Sequence, residues 1–287
     1  GGLVAPEYDD NPWGYKFTWN PRNVVVAGQG VSQFLHNGKI KYIPYHKLFT
    51  RTETIHIEDV GDFEIYPNRD SLKYIDIYDL RKLETMFRGT MRRPGYSQAW
   101  NVFVQLGMTE DTYIVHDSEN ITYREFINSY LPYEKDVAVE QKLARYLNIN
   151  EDGDIMHKLK WLGIFEKKKI GIENATPAQI LQKLIEPKWK MRPEDKDMIV
   201  MIHLFDYEYN TERRRIKSTL VFTGKDTVHT AMSITVGVPV AIATKLLLTG
   251  AINLTGVQRP LRKQIYDPVM KELEEYGIRF NEEDVSL

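Results

Sequence analysis

Apolar and polar residues alternate along two long stretches in the last third of the chain. The stretches are Asp197–Tyr209 and Arg213–Thr223, separated by the turn residues Asn210-Thr211-Glu212. A period of two is typical of a β-strand with one buried face, so the pattern predicts an antiparallel hairpin. We expect one side of the first strand to be buried. That side carries Met198, Val200, Ile202 and Leu204.

The middle of the chain, from about Gly95 to Pro187, has a different pattern. Apolar residues recur there at helical spacing, and polar linkers separate the segments. This pattern predicts an all-helical insertion. The predicted helices are Ser97–Leu106, Tyr123–Ser129, Val137–Tyr146, Asp154–Leu162 and Pro177–Ile185.

The first third of the chain predicts shorter elements. Asn20-Pro21 is a helix start, and the apolar residues that follow predict a helix reaching the stop signal His36-Asn37-Gly38. Ser71 is expected to cap a second helix. The remaining segments are strands at Lys39–Pro44, Thr54–Glu58, Phe63–Tyr66 and Leu83–Met91, and the helix Leu72–Tyr78.

The C-terminal part predicts two helices and a last strand. The segment Thr230–Leu248 is an apolar helix ended by Gly250, and Lys263–Tyr276 is amphipathic. Ile278–Phe280 is expected to be a short strand. Together these elements predict an α+β fold with a mixed, largely antiparallel sheet, flanking helices and an all-helical insertion. We expect one α/β domain from residues 1–94 and 191–287, and a helical subdomain from 95–190.

Composition narrows the classes of function. The chain of 287 residues is 42% hydrophobic and 27% charged, as in ordinary globular proteins, and its net charge is −2. We therefore expect no binding to nucleic acid or to anionic membranes. The sequence contains no cysteine, which excludes disulfides and thiolate chemistry and favours a cytoplasmic location.

Cofactor and metal motifs are missing from the sequence. No GxGxxG motif or Walker sequence is present, and Gly28-Gln29-Gly30 is more typical of a helix break or close packing. The histidines lack the spacing of a zinc site, so no metal is expected. His203, in a predicted central strand, is interpreted either as a hydrogen-bonded structural residue or as a site residue.

Specialised residues are concentrated at the start of the chain. The block Gly1–Asn23 is dense in glycine, proline, aromatic and charged residues, so we expect a longer protein with a further segment upstream. Lys16 could pair with a carboxylate or phosphate, or be a surface lysine. Arg69, in a Pro-Asn-Arg-Asp turn, suits a bidentate clamp on a carboxylate. Alternatively, Arg69 only holds its turn, through Asp70 or the backbone.

Five blocks in this order resemble saccharopine dehydrogenase of the L-glutamate-forming type. The resemblance is carried by motifs spread over most of the chain, whereas residues from about 108 to 190 add little to it. The blocks are Gly1–Glu7, Asp10–Phe17 with Pro21-Arg22, Tyr66–Ser71, Arg88–Arg92 and Ala231–Pro239.

The resemblance implies an oxidoreductase of lysine metabolism that oxidises saccharopine to L-glutamate and 2-aminoadipate semialdehyde, or runs the reverse reaction. It also implies a homodimer, a substrate-binding and dimerisation role for the α/β domain, and NAD or NADP bound mainly by an N-terminal domain outside this chain. The C-terminal helices are expected to return to that domain. No catalytic acid or base is assigned. The implied substrate-binding residues are Gly2, Leu3, Asn11, Lys16, Phe17, Arg69 and Thr230.

Two alternatives remain open at this point. A carboxynorspermidine synthase-like imine reductase would keep the fold and change the substrate. A catalytically inactive dimerisation or binding module would account for the missing nucleotide motif.

Overall fold

The computed structural model describes residues 1–287, which form two compact units. The first unit contains Gly1–Tyr8 and Met191–Leu287, and the second contains Asp9–Lys190. The chain is thus divided after residues 8 and 190, whereas the sequence analysis divided it after 94 and 190. That functional division of domains remains a prediction.

Helices and antiparallel strands are mixed in both units, in agreement with the α+β fold predicted. The strands are β1 (Gly2–Val4), β2 (Val31–His36), β3 (Lys39–Pro44), β4 (Glu53–Ile57), β5 (Gly61–Pro67), β6 (Gly89–Arg92), β7 (Asp197–Tyr209), β8 (Glu212–Thr223) and β9 (Asn281–Ser286). The α-helices are α1 (Pro21–Val25), α2 (Tyr45–Leu48), α3 (Lys73–Ile77), α4 (Tyr96–Gln105), α5 (Tyr123–Ser129), α6 (Val139–Leu147), α7 (Asp154–Leu162), α8 (Pro177–Trp189), α9 (Ala231–Leu248) and α10 (Lys263–Leu273).

The first unit is built on a four-stranded antiparallel sheet in the order β1-β7-β8-β9. The predicted hairpin is confirmed, and its strands pair from Met198–Thr223 out to Tyr209–Glu212. Strand β1 pairs only with the first three residues of β7, so the edge of β7 from Met201 onward is unpaired.

Burial declines along β7 instead of alternating. Met198 and Val200 are buried as predicted, but Leu204, on the same side, is 45% exposed. Ile199, on the opposite side, is buried as well. The expectation of one buried side was therefore wrong for the outer half of the strand, because both faces are covered at its start and neither is covered near the turn.

Helices α9 and α10 pack on one face of this sheet. The buried residues of this core come from β8, from both helices and from the segment that follows them: Leu220, Ile242, Val269, Leu273 and Ile278. Helix α9 is long and apolar enough to cross a membrane, by length and composition only. The last strand lies at Asn281–Ser286, three residues later than predicted, since its pairing with β8 begins at Asn281.

The second unit begins with two small sheets. Strands β2 and β3 form a hairpin through Asn37-Gly38, and β4, β5 and β6 form a three-stranded antiparallel sheet. The predicted long helix from Pro21 to Leu35 was wrong, since α1 ends at Val25. Gly28 and Gly30 have φ angles of 85° and 96°, which end the helix and let the chain enter β2.

Two further local predictions in this unit were wrong. Ser71 does not cap α3, whose N-cap residue is Leu72; the Leu72 N–H donates to Oδ1 of Asp70 at 2.8 Å. Ser71 Oγ accepts instead from the backbone N–H of Arg88. The strand expected from Leu83 begins only at Gly89.

The helical insertion is confirmed as helical and contains α4 to α8. Helices α5 and α8 each begin with a capping box, in which Thr122 pairs with Glu125 and Thr176 with Gln179. Their apolar faces join one large core that also takes in Trp13, Tyr15 and Phe17.

The hairpin turn between β7 and β8 yields a prediction about stability. Asn210 and Thr211 have φ angles of 48° and 70°, and a β-branched residue is strained in this left-handed region. Thr211→Gly should therefore raise the free energy of unfolding by about 1 kcal/mol, measured by urea denaturation. As a control, Thr219→Gly in the middle of β8 should lower it by a similar amount. A loss of stability in Thr211→Gly would contradict the assigned strain.

Candidate functional site

The segment from Asn11 to Phe17, within the second unit, is held in a compact loop by Asn11. The Asn11 side chain donates from Nδ2 to the Tyr15 carbonyl oxygen and accepts at Oδ1 from the Trp13 N–H, both at 3.0 Å. The Gly14 N–H donates to the Asn11 carbonyl at 3.2 Å. Asn11 therefore shapes this segment through both ends of its amide.

Aromatic rings hold the same segment from the side. Trp189, at the end of α8, is fully buried, and its ring lies 5.1 Å from that of Tyr15 and 5.4 Å from that of Phe17. The Phe17 N–H donates to the Trp189 carbonyl at 2.7 Å. Phe17 is only 8% exposed, so its contribution to a pocket comes mainly through packing.

Lys16 lies between these two anchored aromatic residues. Its side chain is almost fully buried, and Nζ is 2.9 Å from Oδ1 of Asp10. Lys16 is therefore not a solvated surface lysine: its ammonium is paired with Asp10 within the chain, and a role in ligand binding remains a prediction. Burial raises the pKa of the neighbouring Asp9, an effect that Arg93 partly offsets.

Arg69 occupies a strained turn in which the backbone, not the side chain, makes the contacts. Its φ angle is 53°, its N–H donates to Ser32 Oγ at 3.1 Å, and its carbonyl accepts from the Gln33 N–H at 3.0 Å. The side chain is exposed and pairs with no residue of the chain. The guanidinium is therefore not needed to hold the turn, and a left-handed non-glycine residue is a feature often found at functional sites.

In the first unit, Gly2 and Leu3 lie in the edge strand β1. Hydrogen bonds flank the pair on both sides, from the Val200 N–H to the Gly1 carbonyl and from the Ala5 N–H to the Lys196 carbonyl, both 2.9 Å. In an antiparallel ladder this alternation directs the backbone of Leu3 toward Met198 and the backbone of Gly2 outward. The backbone groups of Gly2 are therefore suited to contact with a ligand, whereas those of Leu3 are hydrogen-bonded within the sheet.

Thr230 caps α9, and a buried carboxylate occupies the start of the same helix. Thr230 Oγ1 accepts from the Ser233 N–H at 3.0 Å. Asp197 is 1% exposed and accepts from the N–H groups of Ala231 and Met232 at 2.5 and 2.9 Å. The first N–H groups of the helix are thus satisfied within the chain, and Thr230 retains its hydroxyl hydrogen and one lone pair of Oγ1 for a ligand.

Comparison with known proteins shows the family of the chain. Residues 1–278 match the family described as saccharopine dehydrogenase C-terminal domain. The chain belongs to this family.

Individual relatives match over nearly the whole chain. The sequence is 35% identical over 295 residues to saccharopine dehydrogenase [NADP(+), L-glutamate-forming] of Saccharomyces cerevisiae, covering 100% of this chain and 66% of the yeast protein. It is 33% identical over 287 residues to the mitochondrial alpha-aminoadipic semialdehyde synthase of Rattus norvegicus, covering 98% of this chain and 31% of the rat protein. The chain thus spans just under two thirds of the yeast relative.

A solved structure shows the same fold. The apo histidine-tagged saccharopine dehydrogenase (L-Glu forming) from Saccharomyces cerevisiae superposes with a TM-score of 0.87 at 34% identity, covering 99% of this chain and 65% of the yeast chain. At this identity and coverage, the shared fold includes both compact units.

Three helix starts that follow strands in this chain are occupied by acidic side chains. A dinucleotide cradle needs a glycine-rich turn and free N–H groups at the start of a helix that follows a strand. The three longest helices of this kind, including α9, all begin on an acidic side chain. Glu64 accepts from the N–H groups of Gly95 and Ser97 at α4, Asp70 from those of Leu72 and Lys73 at α3, and Asp197 from those of Ala231 and Met232 at α9. These three helix starts do not fit a pyrophosphate.

Sequence reasoning missed the buried charges of this saccharopine dehydrogenase part. Glu64, Arg92 and Asp197 are all less than 9% exposed. The only sequence signal of their burial was a charge at the end or in the middle of a predicted strand, and such charges are also common at protein surfaces.

The sequence analysis also singled out His203, which forms no side-chain hydrogen bond. Its ring stacks on that of Phe205 at 6.0 Å between centroids, and burial lowers its pKa.

Proposed function

We propose that this chain is the substrate-binding and dimerisation part of a saccharopine dehydrogenase that converts saccharopine to L-glutamate and 2-aminoadipate semialdehyde, or runs the reverse reaction. The observation that carries the proposal is the match of the whole chain to the yeast enzyme. The geometry of Arg69 and Lys16 supports it, since both cations are held by a well-ordered backbone.

The chemistry of the substrate fits these cations. Saccharopine carries three carboxylates, and a planar guanidinium binds one through two parallel hydrogen bonds. Arg69 is the bidentate partner in this proposal, because its side chain is exposed and uncommitted. Lys16 is a second carboxylate partner, positioned by the Asn11–Phe17 segment. Gly2 contributes a backbone contact at the open edge of β1.

The remaining predicted residues take supporting roles. Asn11 and Phe17 shape the segment that presents Lys16, through the amide hydrogen bonds and the Trp189 contact. Leu3 acts by fixing β1 in the sheet, and Thr230 contributes a hydroxyl at the start of α9. No residue of the chain is proposed as a catalytic acid or base.

The nucleotide is proposed to bind to a part of the enzyme outside these 287 residues. The yeast relative is named as NADP-dependent, and the starts of α4 and α9 are occupied by carboxylates of the chain. The function of the chain's own residues is then to bind and orient the amine substrate. We place the enzyme in the cytoplasm, with no nucleic-acid or membrane partner.

Saccharopine is favoured over a carboxylated polyamine by the names of the relatives and by the two cations. A carboxynorspermidine-type substrate carries fewer carboxylates and would need acidic residues at its second amine. No observation favours that alternative specifically.

A homodimer built on the hairpin sheet is part of the proposal. Apolar side chains of the hairpin are exposed on both faces of its sheet, with Leu204 at 45% and Val221 at 42% on one face and Phe205 at 55% on the other. An exposed apolar surface of this kind favours association through the hydrophobic effect.

Arg69→Lys tests the substrate site. In the full-length enzyme the substitution should weaken saccharopine binding by about ten- to a hundredfold, or roughly 1.5–3 kcal/mol, because lysine cannot form the bidentate contact. The dissociation constant for NADP and the melting temperature should stay near wild type. Saccharopine and nucleotide binding would be measured by calorimetry on one preparation.

Arg88→Lys is the matched control for this experiment. Arg88 lies 4.3 Å from the ring centroid of Tyr74, so its replacement should lower the melting temperature and leave the affinity for saccharopine intact. If Arg69→Lys behaves like this control, Arg69 is a structural residue and the substrate assignment is wrong.

The cofactor assignment is tested on the 287-residue chain itself. A fluorescence titration with NADPH should show no saturable binding, since the starts of α4 and α9 are occupied by carboxylates. Stoichiometric binding in the micromolar range would show that this part of the protein holds the nucleotide.

Sedimentation velocity tests the dimer. We expect the wild-type chain to sediment as a dimer at micromolar concentration, and Leu204→Glu with Phe205→Glu to shift it toward monomer, because buried charges oppose association. A wild-type monomer at every accessible concentration would contradict the proposed interface.

A further inference from the structure

His229, in the first unit, lies in the short loop that joins β8 to α9. Backbone groups close this loop: the Lys225 N–H donates to the His229 carbonyl at 2.9 Å. Asp226 Oδ1 accepts from the N–H groups of Val228 and His229 at 2.8 and 2.6 Å. None of these contacts uses the imidazole, so the loop does not need the ring in order to close.

The imidazole is nevertheless held in one orientation by the same carboxylate. His229 Nδ1 lies 3.0 Å from Oδ2 of Asp226, and Nε2 forms no hydrogen bond within the chain. The His229 N–H and ring, with the Val228 N–H, lower the pKa of Asp226 to about 2, so Asp226 is an anion at neutral pH. Because an anionic carboxylate only accepts, the hydrogen-bond network assigns the proton to Nδ1 and leaves a lone pair on Nε2.

Asp197 fixes the place of this loop in the fold. Its carboxylate binds the first N–H groups of α9, and its carbonyl accepts from the Gly224 N–H at 2.8 Å, just before the loop. Gly224 allows this approach, because a Cβ at that position would overlap the Asp197 carboxylate. On its other side Asp197 pairs with Val4, the last residue of β1. The loop and the end of β1 are therefore joined through one residue.

His229 thus shares one end of the sheet with two residues of the proposed substrate set. Gly2 lies in β1, two residues before the pair with Asp197, and Thr230 directly follows His229. Asp226 is the one charged group that contacts the ring. The loop therefore presents Nε2 as an acceptor backed by a negative charge, beside groups that are proposed to contact the substrate.

We propose that His229 Nε2 accepts a hydrogen bond from an ammonium group of the substrate. This inference rests on the proposed function, in which Gly2 and Thr230 contact saccharopine. Besides its three carboxylates, saccharopine carries a secondary ammonium and a primary α-ammonium, and neither has a partner among the residues assigned so far. An imidazole acceptor backed by a carboxylate suits such a group, because an ammonium offers both N–H donors and a positive charge.

Steady-state kinetics of the full-length enzyme test this contact. His229→Leu should raise the KM for saccharopine about tenfold or more, because a hydrogen bond to a charged group is lost. The KM for NADP should change by less than about twofold. Asp226→Asn keeps an acceptor for the loop N–H groups and removes the negative charge, so it should raise the saccharopine KM by a smaller factor.

Two saccharopine analogues show which ammonium binds. A deamino analogue lacks the primary α-ammonium, and a thioether analogue has sulfur in place of the secondary nitrogen. Inhibition constants for both would be measured with wild type and with His229→Leu. One analogue should bind the two enzymes equally, within about twofold, because the group that His229 contacts is missing from it. The other analogue should retain the tenfold difference.

His56→Leu is the matched control for His229→Leu. His56 Nδ1 is 2.7 Å from Oδ1 of Asp62, and this exposed pair lies on the β4–β5 hairpin of the second unit. Its removal should leave the KM for saccharopine near wild type. Both histidines are exposed, so neither substitution should change the melting temperature appreciably, and a rise in KM cannot be attributed to loss of folding.

Two results would overturn the inference in an enzyme that is active on saccharopine. One is an unchanged saccharopine KM in His229→Leu. The other is an equal loss of affinity for saccharopine and for both analogues, since the effect of the ring would then not depend on an ammonium. Failure of the proposed function is distinguishable, because the wild-type enzyme would then not turn over saccharopine at all.

Discussion

The packing of the Asn11–Phe17 segment against Trp189 is the constraint on which the candidate site depends. A short segment that contains glycine and proline would be mobile on its own. In the folded chain this segment is fixed and carries the buried Lys16. Ring contacts of 5.1–5.4 Å and one backbone hydrogen bond tie the segment to the end of α8. The last helix of the helical insertion thus holds the Asn11–Phe17 segment in place.

Buried charges have distinct roles in the two units. Asp197 and Glu64 each stabilise a helix start that follows a strand, where the helix dipole and the unpaired N–H groups favour an anion. These same contacts close the helix starts to phosphate.

Long, strongly periodic elements could be predicted from the sequence. The hairpin, α5 and α7 agree with the structure closely, because local spacing and turn residues determine them. Strand β2 could not be predicted in this way: Val31 to His36 also fit a helix, and only pairing with β3 across the Asn37-Gly38 turn decides the outcome. Burial along β7 was missed for a related reason, since it depends on what covers the sheet.

The candidate site, too, could be predicted only where local sequence patterns determine it. Arg69 and Lys16 stood out because their flanking residues form rare local patterns. Their neighbours in the structure are Ser32 for Arg69, and Asp10 and Trp189 for the segment that carries Lys16. No sequence motif links these residues, and several come close only when the chain folds. Arg92 could not be recognised because a cation at a strand end is ordinary in sequence, and only its burial beneath Tyr15 distinguishes it.

The most direct test of the account is a crystal structure of the full-length enzyme with saccharopine bound. The account predicts one substrate carboxylate on the Arg69 guanidinium through two hydrogen bonds, a second carboxylate on Lys16 Nζ, and an Asn11–Phe17 backbone that superposes on the present one within about 1 Å. Saccharopine bound with its carboxylates away from both cations, or a rearranged Asn11–Phe17 segment, would contradict it.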